Sequence, residues 1–301
     1  MPCYRETAAE FSEALDSILK QTYTQIEVVV IFDDPDNKSL YEIARDRAAF
    51  DGRIRLVKNE RNLGLPSALA RGFEASSGDY ICRMDSDDIS EVQRIERQLE
   101  YLKENGLDLV GSYLNAIDEE GETLYLVNSI PTKSESVNRA LGIRNCVPHP
   151  AWLGKRAVFE LGYRDIPLAE DYDLLLRAVL GGFSIGNVPE PLIRYRMTTN
   201  SISRNSLYEQ FLVSRILSSA YNEGLILEAE MIVDTVSFQR NKNAGSNYLR
   251  ANGLFNNGLQ MLHSGKILHG LSQLICIPFV SGEYCRNLFN MARVVAIKIM
   301  E

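Results

Sequence analysis

The sequence predicts an α/β protein with a doubly wound, mixed sheet, followed by a helical C-terminal region. Two observations predict the sheet: β-branched runs recur along the first part of the chain, and segments with helical periodicity separate them. Strand-like runs stop near residue 200, and only helical periodicity continues beyond it. Alternating strands and helices favour parallel strands whose faces are covered by helices.

The first elements follow one another closely. Apolar residues recur at helical spacing over residues 8–20, and residues 27–32 form a β-branched run typical of a buried strand. The alternation then predicts a helix at 40–49, a strand at 54–58, a helix at 65–76 and a strand at 79–84. Residues 1–4 look like a loop that follows a first strand, so we expect that strand to be absent or truncated.

Composition excludes several classes of protein. The 32 basic and 40 acidic residues give a net charge of −8 without a long basic run, which argues against nucleic acid as a partner. Five scattered cysteines form no Cys-x-x-Cys pair, which is typical of free thiols in a reducing compartment. There is no signal-peptide pattern, and no apolar run reaches the roughly 20 residues of a membrane-spanning helix. We therefore expect a cytoplasmic protein.

The C-terminal part predicts a helical region, 205–301, behind a catalytic domain, 1–204. Helical periodicity covers residues 207–222, 225–239 and 245–263. Residues 266–300 mix apolar and basic side chains, which would suit a helix at a membrane surface, giving peripheral association with the inner face of the membrane. Packing of this segment on its own domain is the alternative that we favour. The sequence does not indicate an oligomeric state.

An acidic cluster follows the predicted strand at 79–84. Asp85 and Asp87 are separated by one residue, so their carboxylates can point into the same cleft, and Asp88 follows them. Mg²⁺ and Mn²⁺ prefer such oxygen ligands and often complete their coordination with substrate phosphates. The cluster therefore predicts a divalent-metal site that would neutralise a departing diphosphate. A solvated acidic turn is the alternative for an isolated motif of this kind.

A second acidic pair, Glu170 and Asp171, precedes a helical run at 174–180. One interpretation is helix capping, in which carboxylates stabilise the unpaired N–H groups and the dipole at the helix start. The other is a general base that removes a proton from an attacking hydroxyl group. Spacing alone favours capping.

Ordered motifs along most of the first 203 residues carry a family resemblance. They comprise Pro2-x-Tyr4, a Gln-Thr-Tyr stretch leading into the 27–32 strand, Asn-Leu-Gly at 62–64, the Arg-Met-Asp-Ser-Asp-Asp-Ile-Ser run at 83–90, Pro-His-Pro at 148–150, Glu-Asp-Tyr-Asp at 170–173, and Arg-Tyr-Arg at 194–196. Together they resemble the family 2 glycosyltransferases, which adopt the GT-A fold. The processive members carry Gln-x-x-Arg-Trp and transmembrane helices, neither of which is seen here, so addition of a single sugar is implied.

The resemblance implies a role for each matching residue. Asp171 would be the catalytic base and Glu170 would support acceptor placement. Asp87 would be the main metal ligand, for Mn²⁺ or Mg²⁺, with Asp85 beside the ribose or the metal. Asp33 would bind the uracil ring. The nucleotide-binding residues would be Pro2, Tyr4, Glu6, Asp33, Asn62, Gly64 and Asp85, and the acceptor-side residues His149 and Trp152, although His149 could equally be a structural loop residue.

The same resemblance implies an inverting transfer of a sugar from a UDP-sugar donor to an acceptor hydroxyl. The Arg-Met-Asp-Ser-Asp-Asp variant is similar to that of enzymes of bacterial capsule, exopolysaccharide or O-antigen synthesis, which implies a saccharide or lipid-linked saccharide acceptor. Two positions depart from the pattern: Ala70, where many relatives have Asn, and Thr198, where relatives often have His. Arg194, Arg196, residues 200–204 or water would then replace that His.

Two other functions stay open. A sugar nucleotidyltransferase usually carries a Gly-rich, basic loop near its N-terminus, and residues 2–7 contain none. A non-catalytic nucleotide-binding or scaffold protein is favoured by Ala70, by Thr198 and by the expected loss of the first strand. The presence of both acidic motifs favours the enzyme.

Overall fold

The computed structural model describes residues 1–198 and 206–301. The strands are β1 (Pro2–Cys3), β2 (Val28–Phe32), β3 (Ile54–Lys58), β4 (Tyr80–Cys82), β5 (Ile89–Ser90), β6 (Leu109–Ile117), β7 (Thr123–Val127), β8 (Leu153–Lys155) and β9 (Ile185–Arg196). The first helices are α1 (Ala8–Leu19), α2 (Lys38–Ala48), α3 (Leu65–Ala75), α4 (Arg94–Glu104), α5 (Ser134–Leu141), α6 (Arg156–Phe159) and α7 (Glu170–Leu180). The later helices are α8 (Leu207–Asn222), α9 (Ala229–Gln239), α10 (Lys242–His263), α11 (Ile267–Val280) and α12 (Gly282–Ile299).

The strands form two sheets. One is parallel, in the order β1-β2-β3, and the other is mixed, in the order β4-β8-β6-β9-β5 with β7 on the free side of β6. The predicted mixed α/β architecture is therefore confirmed. Where the sequence suggested a loop after a missing strand, Pro2 and Cys3 form a two-residue strand paired with Ile31 and Phe32.

An apolar cavity of about 390 Å³ lies between β2 and β4, beside the short β1. Val28 and Ile31 line one side of it, and Tyr80 and Ile81 the other. The Met1 amine lies at this cavity and donates a hydrogen bond to the Val29 carbonyl at 2.9 Å. Burial, with the neighbouring Arg83, lowers the pKa of this amine to about 5. The cavity therefore lies where the parallel sheet and the mixed sheet face each other without pairing.

The first helix shows how local sequence sets this fold. Thr7 caps α1 by accepting from the Glu10 N–H, and the Glu10 carboxylate accepts from the Thr7 N–H, so two otherwise unpaired donors are satisfied. Its buried face, which includes Phe11 and Leu15, packs on the fully buried strand β2. Burial of each such side chain stabilises the fold by roughly 1.5–3 kcal/mol.

The helical region continues the core of the first part rather than forming a separate unit. Val213 and Leu217 of α8 and Ile297 of α12 belong to the same buried cluster as Leu174 of α7. The Glu301 carboxylate also accepts from the Thr132 N–H, just before α5, at 2.9 Å. The two parts therefore share packed side chains, and the predicted boundary at residues 204 and 205 lies outside the described ranges and stays a prediction.

No helix within residues 1–198 or 206–301 is long and apolar enough to cross a membrane. The segment 266–300, predicted as one helical stretch, is divided into α11 and α12 at Ser281, whose hydroxyl accepts from the Tyr284 N–H. Side chains of both helices pack on their own domain, as we favoured, but one face of each is exposed.

Candidate active site

The aspartates after β4 form the first half of the site. Asp85, Asp87 and Asp88 each place a carboxylate oxygen within 4.8 Å of the others. The loop that carries them is anchored to β1, because the buried Ser86 hydroxyl donates to the Pro2 carbonyl at 2.7 Å. The two-residue strand β1 thereby positions the acidic loop.

Arg83 supplies the main positive charge at this loop. Its guanidinium is buried and forms a two-pronged ion pair with Asp85, with nitrogen–oxygen distances of 2.5 Å. Burial disfavours the Arg83 charge, but the Asp85 carboxylate outweighs burial, so the pKa of Arg83 lies above its ordinary value. Asp85 is therefore held in place by Arg83, and the aspartates on either side of Ser86 have different surroundings.

Asp88 is the most enclosed of the three aspartates. Its Oδ1 accepts from the Arg196 N–H at 2.9 Å, whereas its Oδ2 is buried with no hydrogen-bond partner among the described residues. An unpaired buried oxygen is costly unless something else satisfies it. Burial, with the charges of Asp85 and Asp87, raises the pKa of Asp88 well above its ordinary value.

Asp87 points into the same cluster with some surface exposed. Burial raises the pKa of Asp87 to about 7, and the neighbouring carboxylates of Asp85 and Glu6 add to the effect. Three carboxylates so close together repel one another when ionised. The cluster consequently has a surplus of negative charge that a cation would relieve.

Asp33 lies at the end of β2 and holds the neighbouring loop. Its Oδ1 accepts from the Asn59 side chain at 2.6 Å and from the Leu63 N–H at 2.9 Å, and its Oδ2 accepts from the Gly64 N–H at 2.9 Å. Asn62 also accepts from the Gly64 N–H, at 2.8 Å. Gly64 has φ of 81°, a conformation that favours glycine. Asp33 thus holds this loop in place. Its Oδ2 accepts only one of these hydrogen bonds and can accept another.

The N-terminal loop lies against the same cluster. Pro2 is buried within β1, and its neighbour Tyr4 is partly exposed. The Glu6 carboxylate accepts from the Tyr4 N–H at 2.8 Å and from the Cys3 thiol at 3.4 Å, so it stays close enough to affect Asp87. The structure therefore brings Pro2, Tyr4 and Glu6 to the acidic loop.

Glu170 and Asp171 form the other half of the site. The residue that caps α7 is Ala169, and it makes no side-chain capping bond, so Glu170 lies inside the first turn. Asp171 is fixed by the Asn145 amide, which donates to Oδ2 at 2.8 Å, and by the Tyr172 N–H, which donates to Oδ1 at 2.6 Å. Leu168, just before this turn, has a left-handed φ of 69°, a strained conformation that is frequent near functional sites.

Both carboxyl groups of this pair have raised pKa values. Burial raises the pKa of Glu170 to about 7, and the charge of Asp171 adds to this. Burial also raises the pKa of Asp171, against the opposing effects of the Tyr172 hydrogen bond and of Arg83. Arg83 therefore interacts electrostatically with both acidic groups, which places the two halves of the site around one guanidinium.

The residues expected on the acceptor side differ in exposure. His149 is buried, its Nε2 is 3.0 Å from the Tyr163 hydroxyl, and its ring contacts the Trp152 ring. Burial and then Arg83 lower the pKa of His149 well below its ordinary value, so its imidazole is neutral. Trp152 has no exposed surface, and its indole N–H donates to the Val147 carbonyl at 3.0 Å. Trp152 is therefore a core residue behind His149, and its expected place on the acceptor side stays a prediction.

The arginines near the end of β9 have structural partners. Arg196 donates from Nε to the Asp87 carbonyl at 2.9 Å and pairs with Glu13 at 2.8 Å, and Arg194 donates to the Gly121 carbonyl at 3.0 Å. Arg196 therefore holds the acidic loop instead of standing free for a phosphate. Thr198 is the last described residue before the gap, and residues 200–204, the alternative contact, lie outside the described ranges.

The comparison with protein-family models decides the family. The model described as "Glycosyl transferase family 2" matches residues 1–162, more than half of the chain. This protein belongs to glycosyltransferase family 2. Membership confirms the resemblance that the motifs carried and the expectation of a glycosyltransferase enzyme.

Relatives place this family 2 enzyme near enzymes of surface-polysaccharide assembly. It is 31% identical over 198 residues to an O-antigen biosynthesis glycosyltransferase, WbnJ, of Escherichia coli, covering 64% of this chain and 77% of the relative. It is 28% identical over 196 residues to a second E. coli protein, covering 64% of this chain and 70% of the relative. That relative is named UDP-Gal:alpha-D-GlcNAc-diphosphoundecaprenol beta-1,3-galactosyltransferase.

A solved structure shares the fold. The first 349 residues of S. aureus TarS, crystallised with UDP-GlcNAc, superpose with a TM-score of 0.58 at 15% identity, covering 99% of this chain and 89% of that chain. The GT-A fold class expected from the motifs is thereby confirmed, and the likeness extends over the helical region.

The structure of this family 2 glycosyltransferase also shows site residues that sequence reasoning did not single out. Arg83, Asp88, Asn145 and Tyr163 contact or electrostatically affect the predicted residues. The sequence could have indicated Arg83, because it lies two residues before Asp85 and residues two apart in an extended segment share a face. Asn145 offered no such signal, since it reaches Asp171 only through the fold.

Proposed function

We propose that this glycosyltransferase transfers one sugar from a UDP-sugar to a hydroxyl group of a lipid-linked saccharide, with inversion at the anomeric carbon, in the assembly of a bacterial surface polysaccharide. The observation that carries the proposal is the arrangement of two acidic groups around Arg83, one suited to a cation and the other to a proton. The name of the E. coli relative, which includes a UDP-sugar and a diphosphoundecaprenol-linked acceptor, supports the choice of donor and acceptor class.

The aspartate cluster fits Mg²⁺ or Mn²⁺. Its donors are all carboxylate oxygens, and the partnerless Asp88 Oδ2 is the kind of buried atom that a cation would satisfy. Asp87 and Asp88 would be the main ligands, with Asp85 tethered to Arg83 beside them. A bound cation supplies Lewis-acid stabilisation of the diphosphate that leaves.

The donor nucleotide would lie along the Asp33 side of the site. Asp33 fixes the 62–64 loop by accepting from the Leu63 and Gly64 N–H groups, accepts also from the Asn59 side chain, and keeps acceptor capacity on Oδ2 for the uracil N–H. Tyr4 and Glu6 would border the same nucleotide pocket, with Pro2 supporting them from β1. Asn62 and Gly64 would present backbone to the nucleotide.

Asp171 would remove the proton from the acceptor. The acceptor oxygen attacks the anomeric carbon, the bond from that carbon to the UDP oxygen breaks with its electron pair going to UDP, and the hydroxyl proton passes to the Asp171 carboxylate. Burial makes this carboxylate more basic, and Asn145 with the Tyr172 N–H holds its orientation. Glu170 would place the acceptor, with neutral His149 and Tyr163 behind it.

Calorimetric titration tests the donor half of the proposal. UDP and GDP are titrated into the wild type and into Asp87→Asn, each with Mn²⁺ and with EDTA. We expect UDP binding that needs Mn²⁺, that is weakened at least tenfold in Asp87→Asn, and that exceeds GDP binding. Absence of binding for either nucleotide in the presence of Mn²⁺ would refute the proposal.

A further inference from the structure

The helical region carries an apolar face that its own packing does not cover. Leu268, Leu271, Ile275 and Phe279 of α11 have exposed fractions between 44% and 88%. Their spacing of three, four and four residues places them on one side of the helix. We call these four residues the α11 apolar stripe.

The opposite side of α11 is the packed one. Gly270 and Ile277 are buried, and Gly270 lies so close to α10 that an added Cβ would stand 2.8 Å from the Gly258 carbonyl oxygen. Successive residues of an α-helix are turned by 100° about its axis, so the stripe lies roughly opposite Gly270 and Ile277. The orientation of α11 is therefore fixed by backbone contact with α10, and the stripe is held outward.

The segment that contains the stripe has a net charge opposite in sign to that of the rest of the protein. Residues 266–300 contain four basic residues and one acidic residue, which gives +3, whereas the whole chain is −8, so the remainder is −11. Helix α11 itself carries no Asp, Glu, Lys or Arg. In α12, exposed Arg286 and Arg293 flank the exposed Phe289. The uncharged, apolar helix α11 is thus followed directly by a helix with exposed arginines, in a protein that is acidic as a whole.

We propose that α11 and α12 form a docking surface for an anionic phospholipid bilayer, with the α11 apolar stripe inserted among the lipids. An exposed Leu/Ile/Phe face in a segment whose charged residues are mostly arginine and lysine is the composition of helices that lie in the membrane interface. Helix α11 has 14 residues, so it lies along a bilayer instead of crossing it. Cations near the surface attract anionic headgroups, which the −11 remainder would repel. The inference depends on this surface alone and not on the sugar-transfer activity.

Vesicle flotation without donor or acceptor tests this proposal. Full-length protein is mixed with phosphatidylcholine vesicles, or with vesicles that contain about one third phosphatidylglycerol. We expect binding to the anionic vesicles that is at least tenfold stronger than to the neutral ones and that weakens as salt rises. Equal or absent binding to both vesicle types would overturn the proposal.

Variants identify the surface. Ile275→Ser combined with Phe279→Ser should lower binding to anionic vesicles at least tenfold, and Arg286→Glu with Arg293→Glu should remove the preference for anionic lipid. Phe50→Ser is the matched control, because Phe50 is 96% exposed outside the helical region, and it should leave binding unchanged. All the replaced side chains are exposed, and unchanged thermal melting verifies folding. If the double Ser variant instead converts a dimer to a monomer in light scattering and leaves vesicle binding unchanged, the stripe joins two copies and the proposal fails.

Discussion

Replacing Asp87 by Asn should stabilise the metal-free protein while removing its metal site. Asn has nearly the same shape, and no side-chain hydrogen bond of Asp87 to another described residue would be lost. What disappears is a charge that burial and the neighbouring carboxylates disfavour, as the pKa of about 7 indicates. An active-site charge that costs stability is expected where binding of a cation, rather than folding, requires it.

The magnitude follows from that pKa. A rise from the ordinary 3.8 to about 7 corresponds to roughly 4 kcal/mol at pH 8 as an upper limit. Asp87 keeps some solvent exposure, which screens its charge, so we expect the free energy of unfolding to rise by about 1–3 kcal/mol. For a chain of 301 residues that is a rise in Tm of roughly 2–5 °C.

The pH dependence has a definite sign. The folded-state pKa is above the ordinary one, so the stability linked to protonated Asp87 is fully present below pH 3.8 and is lost as pH rises through about 7. The advantage of Asp87→Asn should therefore be largest at pH 8, shrink as pH falls through 7, and vanish near pH 4. Mn²⁺ should offset this advantage, because its binding raises the free energy of unfolding of wild type by about 2.7 kcal/mol when free Mn²⁺ is at a hundredfold excess over Kd.

Thermal denaturation in EDTA and in Mn²⁺, from pH 4 to pH 8, measures these differences. Asp165→Asn is the control, because Asp165 is exposed and lies outside the cluster, and it should change little. A lower Tm for Asp87→Asn in EDTA at pH 8, or a Mn²⁺-induced rise in Tm that is as large for Asp87→Asn as for wild type, would refute the reasoning.

Other predictions concern the proposed base, Asp171, and the loop that Asp33 holds. Glu170→Gln should move the acid limb of the pH–rate profile to lower pH, because a neighbouring carboxylate no longer opposes ionisation of Asp171; an unmoved limb argues against coupling. Asn145→Ala should lower kcat about 10–100-fold with little change in the donor KM, since Asp171 loses its orienting bond. Asp33→Ala should weaken UDP binding about tenfold in calorimetry, and unchanged affinity would exclude its loop-holding role.

Local pattern was enough to predict the first elements. Helices α1 to α3 and strands β2 and β3 lie within a few residues of their predicted positions, because each has a clear apolar period and a capping or turn residue. The part from α4 to β8 gave no such assignment, since β6 pairs antiparallel with β8 and parallel with β9, both of which are distant in sequence. Such long-range pairing leaves little trace in a local window.

The candidate site was predictable where a motif carries it. Asp85 and Asp87 stand out from their spacing, whereas Glu170 and Asp171 are indicated by the family resemblance, and the structure brings both pairs within the influence of Arg83. The burial of Trp152 could not be read from the sequence, because a Trp next to a loop histidine suits a binding face as well as a core.

The most direct test of the central claim is sugar transfer by wild type and by Asp171→Asn, with Mn²⁺, a panel of UDP-sugars and prenyl-diphosphate-linked monosaccharides, read by mass spectrometry of the lipid product. We expect wild type to add one sugar with at least one donor, and Asp171→Asn to bind UDP as tightly while its transfer rate falls about 10²–10⁴-fold. Wild-type turnover by Asp171→Asn would contradict the assignment of the base and, with it, the proposed mechanism.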